Sequence, residues 1–547
     1  MAQAGIFRGL MWHFFGRFFD KESLSPQGEP EAGVIQMLGI LAPPGGFVAL
    51  LMSLLNPQRW ELVGLRFLFI CYSMAAMGVV MVFEWDALFP DKRDYQILTP
   101  LPLHVFTFFA AKFAALGIFL ALFLASVCSF GVLLWPGVES RGGSYFSIAG
   151  THLVVMVAAG LFAALVLGAL QGLLVAVFRG AWYRRVSACM QTLVMALVIM
   201  LLCLSPLMAS RMPQFCRAHS PVLRCFPAFW FVGLYEQWRP AVPRLAGETA
   251  LRELAPLAGC AMAIAVAVFA LTFLPGYRGH ARRVLESPEP SPRGQGRAGR
   301  AWAAGISRLL RDPVEIGVFH FISETLARSL KHRLFLATYG GFGAALVVLM
   351  IASGGSSLRV SLMLSFILIS GLRAAFNFPS DLRANWAFQV SETSSVAAYV
   401  RATRMWMTLC AIVPLFVSMA VMDAARGPWI AAVFHFVFGV AVSIVLMEVM
   451  FLGFHKVPFT CSHFPGKVNL VFLGVIYCFG FTYYSSWMSA MEQVLWTTPA
   501  AAALFFPALA AGWAALGRAR REMQGGEALD YEDDGNPAIR TLGLTSQ

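Results

Sequence analysis

"EWDALFPDKRDYQILTPLPL", residues 84–103, is a charged, proline-punctuated segment lodged between two long apolar runs. Its meaning depends on those runs. Apolar stretches of about 18 residues or more recur along the chain, each long enough to cross a hydrocarbon core of roughly 30 Å at about 1.5 Å rise per residue. Of the 547 residues, 58% are hydrophobic and only 13% are charged, about half the charged share of a soluble domain. A soluble core buries one or two such runs, not a dozen. Strands of an outer-membrane barrel would alternate polar and apolar residues, and these runs do not. The sequence therefore reads as an all-α polytopic membrane protein.

About twelve spans are expected. The first six lie near 33–55, 62–83, 105–135, 148–178, 187–208 and 255–275. The second six lie near 335–352, 358–376, 404–423, 428–453, 468–487 and 497–516. "APPGG" at 42–46 interrupts the first. Such breaks are tolerated where neighbours or cavities satisfy the freed backbone.

Net charge is +12, from 41 Lys and Arg against 29 Asp and Glu. In a soluble chain that excess would suggest nucleic acid. Here no aromatic-and-basic strip accompanies it, and basic residues gather in short loops, as they do on the cytoplasmic side of membranes. Placing both termini inside puts Lys92, Arg93, Arg179, Arg184, Arg185, Lys456 and Lys467 in inner loops, with Arg518, Arg520 and Arg521 opening the tail. No nucleic-acid partner is expected.

The stretch 1–32 opens with "MAQAGIFRGLMWHFFGRFFDKES". Phe7, Leu10, Met11, Phe14 and Phe18 follow helical spacing, with Arg8 and Arg17 off that face. This fits an amphipathic helix in the membrane interface; the alternative is a disordered, cleaved start. Arginines inside the apolar stretch argue against a secretory signal. "ESPEPSPRGQGRAGR", 286–300, reads as a flexible connection within a cytoplasmic linker at 276–312. It separates a first six-helix half, 33–275, with its outer segment at 209–254, from a second unit at 313–516. A polar, acidic tail follows at 517–547. The second unit starts "PVEIGVFHFISETLARSLKHRL", 313–334. Pro313 suits the first helical position, Glu315 favours the positive end of the dipole, and Ile316, Phe319, Ile322 and Leu326 form an apolar stripe.

The opening stretch has a counterpart, "FNFPSDLRANWAFQVSE", 376–392. Each lies between the second and third spans of its half. Phe89-Pro90 matches Phe378-Pro379, and Asp91 with Arg93 matches Asp381 with Arg383. Pro90 and Pro379 can each open a short helix with the Asp near its positive end. Leu382, Trp386 and Val390 recur every four residues, one apolar stripe on an otherwise polar helix. A duplicated surface helix suits docking of a partner that is itself a dimer; a helix merely lying on lipid is the alternative.

This pattern resembles the membrane subunit of an ATP-binding-cassette exporter of the type-2 export fold. Members have six spans per half, an interfacial helix before the first and a coupling helix between the second and third. An outer helical element often stands between the fifth and sixth, here matched by "RMPQFCRAHSPVLRCFPAFWFVGLYEQWRP", 211–240. The second half departs from the pattern, because its last outer loop, about 488–496, is short. The resemblance implies two fused, parallel six-helix halves in a bacterial inner membrane. It makes Phe89, Pro90, Asp91, Arg93, Phe378, Pro379, Asp381, Arg383 and Trp386 coupling residues that receive motion from the ATPase. The chain has no G-x-x-x-x-G-K-[ST]. Gly466-Lys467 lacks the first glycine and the Ser/Thr that the phosphate cradle and Mg²⁺ require. The resemblance then implies that ATP hydrolysis comes from separate subunits acting as a dimer, and that the chain itself is a transport subunit, not an enzyme, with no cofactor. The other readings are an ion-gradient-driven secondary transporter, which internal repeats also suit, and a membrane enzyme acting on lipid-linked substrates.

Other residues carry smaller expectations. Cys216 and Cys225 share the outer segment and could close a loop in an oxidising compartment; zinc has no paired C-x-x-C or His cluster to hold it. Glu448 is the foremost intramembrane ionisable residue. It is read either as a proton or cation site or, more plainly, as a carboxylate reaching the inner interface or paired with a base. Lys112, Arg373 and Arg404 are expected to snorkel, Gln171 and Gln191 to bond across helices, and His435 to be a hydrogen-bonded interior histidine. "KVPFTCSHFPGK", 456–467, and "RGAWYRR", 179–185, are inner loops that either share the partner surface or face lipid.

Overall fold

The architecture is that of a computed structural model, which describes residues 2–19, 39, 41–55, 58–85, 105–139, 144–178, 180–239, 249–286, 305–310, 312–354, 356–380, 385–390, 396–452, 454, 456–461 and 470–524. Among these the secondary structure is helical, with no strand. Among the described residues ten stretches are long and apolar enough to cross a membrane, so the protein is a polytopic membrane protein. The chain divides into two compact units at Ser291/Pro292.

In the first unit, α1 (Ala2–Phe19), α2 (Pro43–Leu55), α3 (Arg59–Phe83), α4 (Val105–Val138), α5 (Tyr145–Val177) and α6 (Gly180–Ser210) precede three short helices. These are α7 (Met212–Arg217), α8 (Val222–Cys225) and α9 (Pro227–Trp238). Then come α10 (Thr249–Arg252) and α11 (Ala255–Glu286). The 13 residues of α2 are too few to cross a membrane alone. α11 continues through Pro275-Gly276 to Glu286, past the expected start of the linker at 276, and ends where "SPEPSP" begins. α6 likewise takes in most of the expected loop "RGAWYRR". Gly180, at φ 56°, turns the chain sharply from α5 into α6 in a conformation that suits glycine.

α3 is the central helix of this unit and packs on α5, α6 and α9. Its Phe67 stacks on Phe229 of α9 at 4.6 Å, and its Phe69 meets Trp135 of α4 edge-on at 5.3 Å. The stripe expected on α1 is present, but part of it rests on protein. Phe14 meets Phe108 at 5.0 Å and Phe18 stacks on Phe119 at 5.1 Å, both across to α4. Burying two aromatic rings against α4 removes more apolar surface from water than leaving them at a wet interface.

The second unit holds α12 (Pro313–Arg328), α13 (Leu330–Ala352), α14 (Ser357–Ala375), α15 (Asn385–Val390) and α16 (Val396–Met407). After a π-turn at Thr408–Ile412 come α17 (Val413–Ala424), α18 (Trp429–Met450), α19 (Leu470–Thr497) and α20 (Pro499–Gln524). Asp312 caps α12 by accepting from Val314 N at 2.9 Å, and Pro313 takes the first helical position as expected. Phe319 and Ile322 of its stripe are buried. The π-turn accommodates Pro414, which has no N–H to give the helix. α17 and α18 meet at Gly439, where an added Cβ would stand 2.1 Å from the Phe416 ring.

One boundary matters for function. The expected outer loop 488–496 does not exist: α19 runs on to Thr497, and α20 starts two residues later. "SAMEQVLWT" contains no glycine or proline to end the helix, so its polar residues stay helical and Glu492 lies on a helix instead of in a loop.

Candidate functional site

The chain leaving α14 does not continue as helix. Phe376 O accepts from Phe459 N at 3.1 Å, and Ser380 N donates to Phe459 O at 2.9 Å. This pair of backbone bonds clamps the Phe378-Pro379 turn to the loop after α18. Phe459 sits at φ 67°, the left-handed conformation that folds its loop back onto the turn. Phe378 O accepts from His332 Nε2 at 3.0 Å, while His332 Nδ1 lies 2.7 Å from Ser329 Oγ. A neutral ring that donates through Nε2 accepts at Nδ1, so the Ser329 hydroxyl points at the ring. Aromatic rings pack the cluster from both sides: His332 on Phe459 at 4.5 Å, Phe335 on Phe378 at 4.6 Å, and Phe321 of α12 on Phe388 of α15 at 5.0 Å.

Pro379 therefore does not open a helix, contrary to the sequence expectation. Among the described residues the helix starts at Asn385. Asn385 is buried and donates Nδ2 to Thr460 O at 2.7 Å. Trp386 and Val390 are 65% and 79% exposed. The loop 456–461 and the Phe-Pro segment are thus one assembly, with an apolar edge facing outward from it. Phe89, Pro90, Asp91 and Arg93, and likewise Asp381, Arg383 and Leu382, lie outside the described residues.

Arg373 does not merely snorkel. Its guanidinium lies over Phe454 at 4.6 Å, donates Nη1 to Asn377 Oδ1 at 2.9 Å, and donates Nε to Met450 O at 3.2 Å. It joins the ends of α14 and α18 beneath the same loops.

Glu448, near the C-terminal end of α18, is almost fully buried and sits between two bases. Arg404 of α16 bonds Oε1 and Arg520 of α20 bonds Oε2. Trp513 Nε1 adds a bond to Oε1 at 3.1 Å. Of the two readings from sequence, the structure has the paired carboxylate. Two guanidiniums hold one carboxylate, and three helices are tied together. Lys112 lies over the Phe14 ring at 5.7 Å. Gln191 Nε2 bonds Val82 O at 2.9 Å and Gln171 bonds Trp85 O, so both glutamines do cross between helices.

Cys216 is buried in α7 and Cys225 is exposed at the end of α8; both are free thiols, so the bridge that the sequence allowed is not formed. Burial pushes the Cys216 thiol up to about 11. Beside them the first unit holds a network that the sequence did not announce. Arg66 of α3 bonds both Glu139 and Glu236. Arg239 Nε bonds Glu139 Oε1 at 2.7 Å, and Trp135 Nε1 donates to Glu139 Oε2 at 2.8 Å. Two positive and two negative groups balance in one buried cluster. Tyr235, against the same carboxylates, has its phenol pushed up by burial first and then by the charge of Glu139.

A second missed cluster lies in the second unit, at the opposite end of α14 and α18 from the Phe-Pro assembly. Ser361 Oγ is 2.7 Å from His435 Nε2, and His435 Nδ1 is 2.7 Å from Glu492 Oε1. All three side chains are buried. His435 was expected to be an interior hydrogen-bonded histidine, and it is, but with an acid as one partner. The 74 and 57 positions separating the members hide them from any motif. The one usable signal was an acid at 492 only a few residues from the expected end of a span. Metal-binding groups of three or more His, Cys, Asp or Glu do not occur among the described residues.

No protein-family model, curated protein or solved structure matches this chain. Function must therefore be argued from the geometry.

Proposed function

We propose that the chain is the permease subunit of an ATP-driven membrane transporter, built from two related halves and powered by separate ATPase subunits. It would move its cargo by alternating access, as an exporter in a bacterial inner membrane with both termini cytoplasmic.

The observation that carries this reading is the build of the second Phe-Pro segment. A surface helix with exposed Trp386 and Val390 is anchored through Asn385 to the loop after α18 and through Phe388 to α12, and Phe378 ahead of it packs on Phe335 of α13. A lever needs both properties: an outer face for a partner, and rigid attachment to the spans it is to move. α14 and α18 end directly in this assembly, and Arg373 bonds between them. A push on α15 would thus reach two spans at once. The sequence has no phosphate-binding glycine loop, which fits a reading in which ATP binds a separate subunit.

The test is co-purification from the native host. A cassette ATPase should be recovered with the wild-type chain, and much less with Trp386→Asp. Recovery of no ATPase at all, or equal recovery with both chains, would count against the proposal.

A further inference from the structure

We infer that His435 and Glu492 form a proton-binding site, with Ser361 as its hydrogen-bonding switch, inside the second unit. This stands apart from the proposed function: a proton site can accompany an ATP-driven or a gradient-driven transporter.

The bonds themselves make the case. Ser361 Oγ lies within hydrogen-bond reach of the acceptors Leu358 O, at 2.9 Å, and His435 Nε2, at 2.7 Å. Its single proton can serve only one of them at a time. When the hydroxyl donates to Leu358 O, its oxygen must accept from His435, so Nε2 carries a proton. Nδ1, 2.7 Å from Glu492 Oε1, is then joined to the carboxyl by a second proton. That state is the proton-loaded one, and the His–Glu pair is neutral overall. When Nε2 releases its proton to water, the hydroxyl turns and donates to the vacated lone pair. Nδ1–H then faces a carboxylate, and the pair carries one negative charge. The loaded and unloaded hydrogen-bond patterns differ by one proton and one hydroxyl rotation.

Burial gives the switch its consequence. Glu492 Oε2 is buried with no hydrogen-bond partner. A carboxylate in that position lacks the donors that would stabilise its charge. Unloading therefore requires that water or a cation reach the site. The proton state is thereby tied to an opening of the helices around it. The ring is covered by Phe416, at 5.9 Å, which presses onto α18 where Gly439 has no side chain.

His435 and Glu492 make no other hydrogen bond or ion pair among the described residues. The remaining titratable groups on the packed elements are Lys331, His332, Arg333 and Tyr339 on α13, Arg359 and Arg373 on α14, Cys410 in the π-turn, Asp423 on α17, Glu448 on α18, and Tyr477, Cys478, Tyr483 and Tyr484 on α19. α20 carries none before Arg518. The trio lies roughly one to two helical turns, on the order of 6–9 Å, from the ends of α14, α18 and α19. A Ser-His-acid order also invites a hydrolase reading. Ser361 is fully buried, however, and cannot meet a substrate in this state.

The test is infrared difference spectroscopy of the full chain in lipid vesicles, stepped between about pH 5 and about pH 9, the range in which histidine commonly titrates. Wild type should show a carboxyl change coupled to an imidazole change, and should take up one proton more than His435→Gln or Glu492→Gln. If either variant fails to insert, Ser361→Ala serves instead: it should keep the uptake while moving the pH of half-uptake. Nitrogen-15 labelling of histidine in the wild-type chain reads the ring directly. Equal uptake in wild type and Glu492→Gln would overturn the inference. So would an unmoved Ser361→Ala midpoint, or a wild-type ring fixed in one state across the range.

Discussion

Asn385 donates a 2.7 Å hydrogen bond to the carbonyl of Thr460, 75 residues further along the chain. That bond fastens a six-residue helix, too short to hold itself together, to the loop that follows α18. It joins two segments which the sequence presents as separate inner loops.

Asn385→Leu should cost about 1–2 kcal/mol locally, since the Thr460 carbonyl loses its buried donor. Hydrogen exchange should rise in 385–390 while the spans stay protected. Uniform protection of that helix in the variant would show that other contacts suffice.

Trp386→Ala should leave the stability of the purified chain within about 0.5 kcal/mol of wild type, because the side chain is mostly exposed. Partner affinity should nevertheless fall by about 2 kcal/mol, roughly thirtyfold, if the indole is a central contact. Thermal unfolding in detergent gives the first number, and titration with the proposed ATPase subunit gives the second. Large destabilisation of the isolated chain would mean that the indole supports the fold.

Glu448→Gln leaves Arg404 and Arg520 facing each other without a counter-charge. A loss of about 3–5 kcal/mol is expected, as for a buried pair deprived of one partner. Adding Arg404→Met should recover part of it, because one of the two stranded cations is then gone. A double variant no more stable than Glu448→Gln would contradict the pairing.

Gly439→Ala places a methyl group against the Phe416 ring, and both residues are buried among tightly packed helices. A destabilisation of about 1–3 kcal/mol is expected from overpacking. Phe416→Leu in the same chain should relieve it.

Cys225 should react with a maleimide at neutral pH, while Cys216 should not. At pH 8 a thiol titrating near 11 is only about one-thousandth thiolate, against roughly a quarter for a free cysteine near 8.5. Because the thiolate reacts, labelling of Cys216 should rise as pH approaches 11. The intact mass should be the same with and without reductant.

Composition and the recurrence of long apolar runs were enough to establish a helical membrane protein. Helix identity is local: run length, proline position and the Asp312 cap are written within a few residues, and the backbone must satisfy its own hydrogen bonds in lipid. Helix ends were less legible. The polarity of 488–496 suggests a loop while its lack of Gly and Pro favours a continuous helix, and weighing only the first puts Glu492 in a loop. The side-chain constellations were not legible at all. Ser361, His435 and Glu492, like Arg66, Glu139 and Glu236, are brought together by helix packing over tens to hundreds of residues. Their rotation about each helix axis is set by which apolar faces find partners. The sequence dictated which segments are apolar enough to enter a membrane, since transfer free energy adds residue by residue. Only tertiary packing decided which charges meet inside, since that depends on distances that no single segment contains.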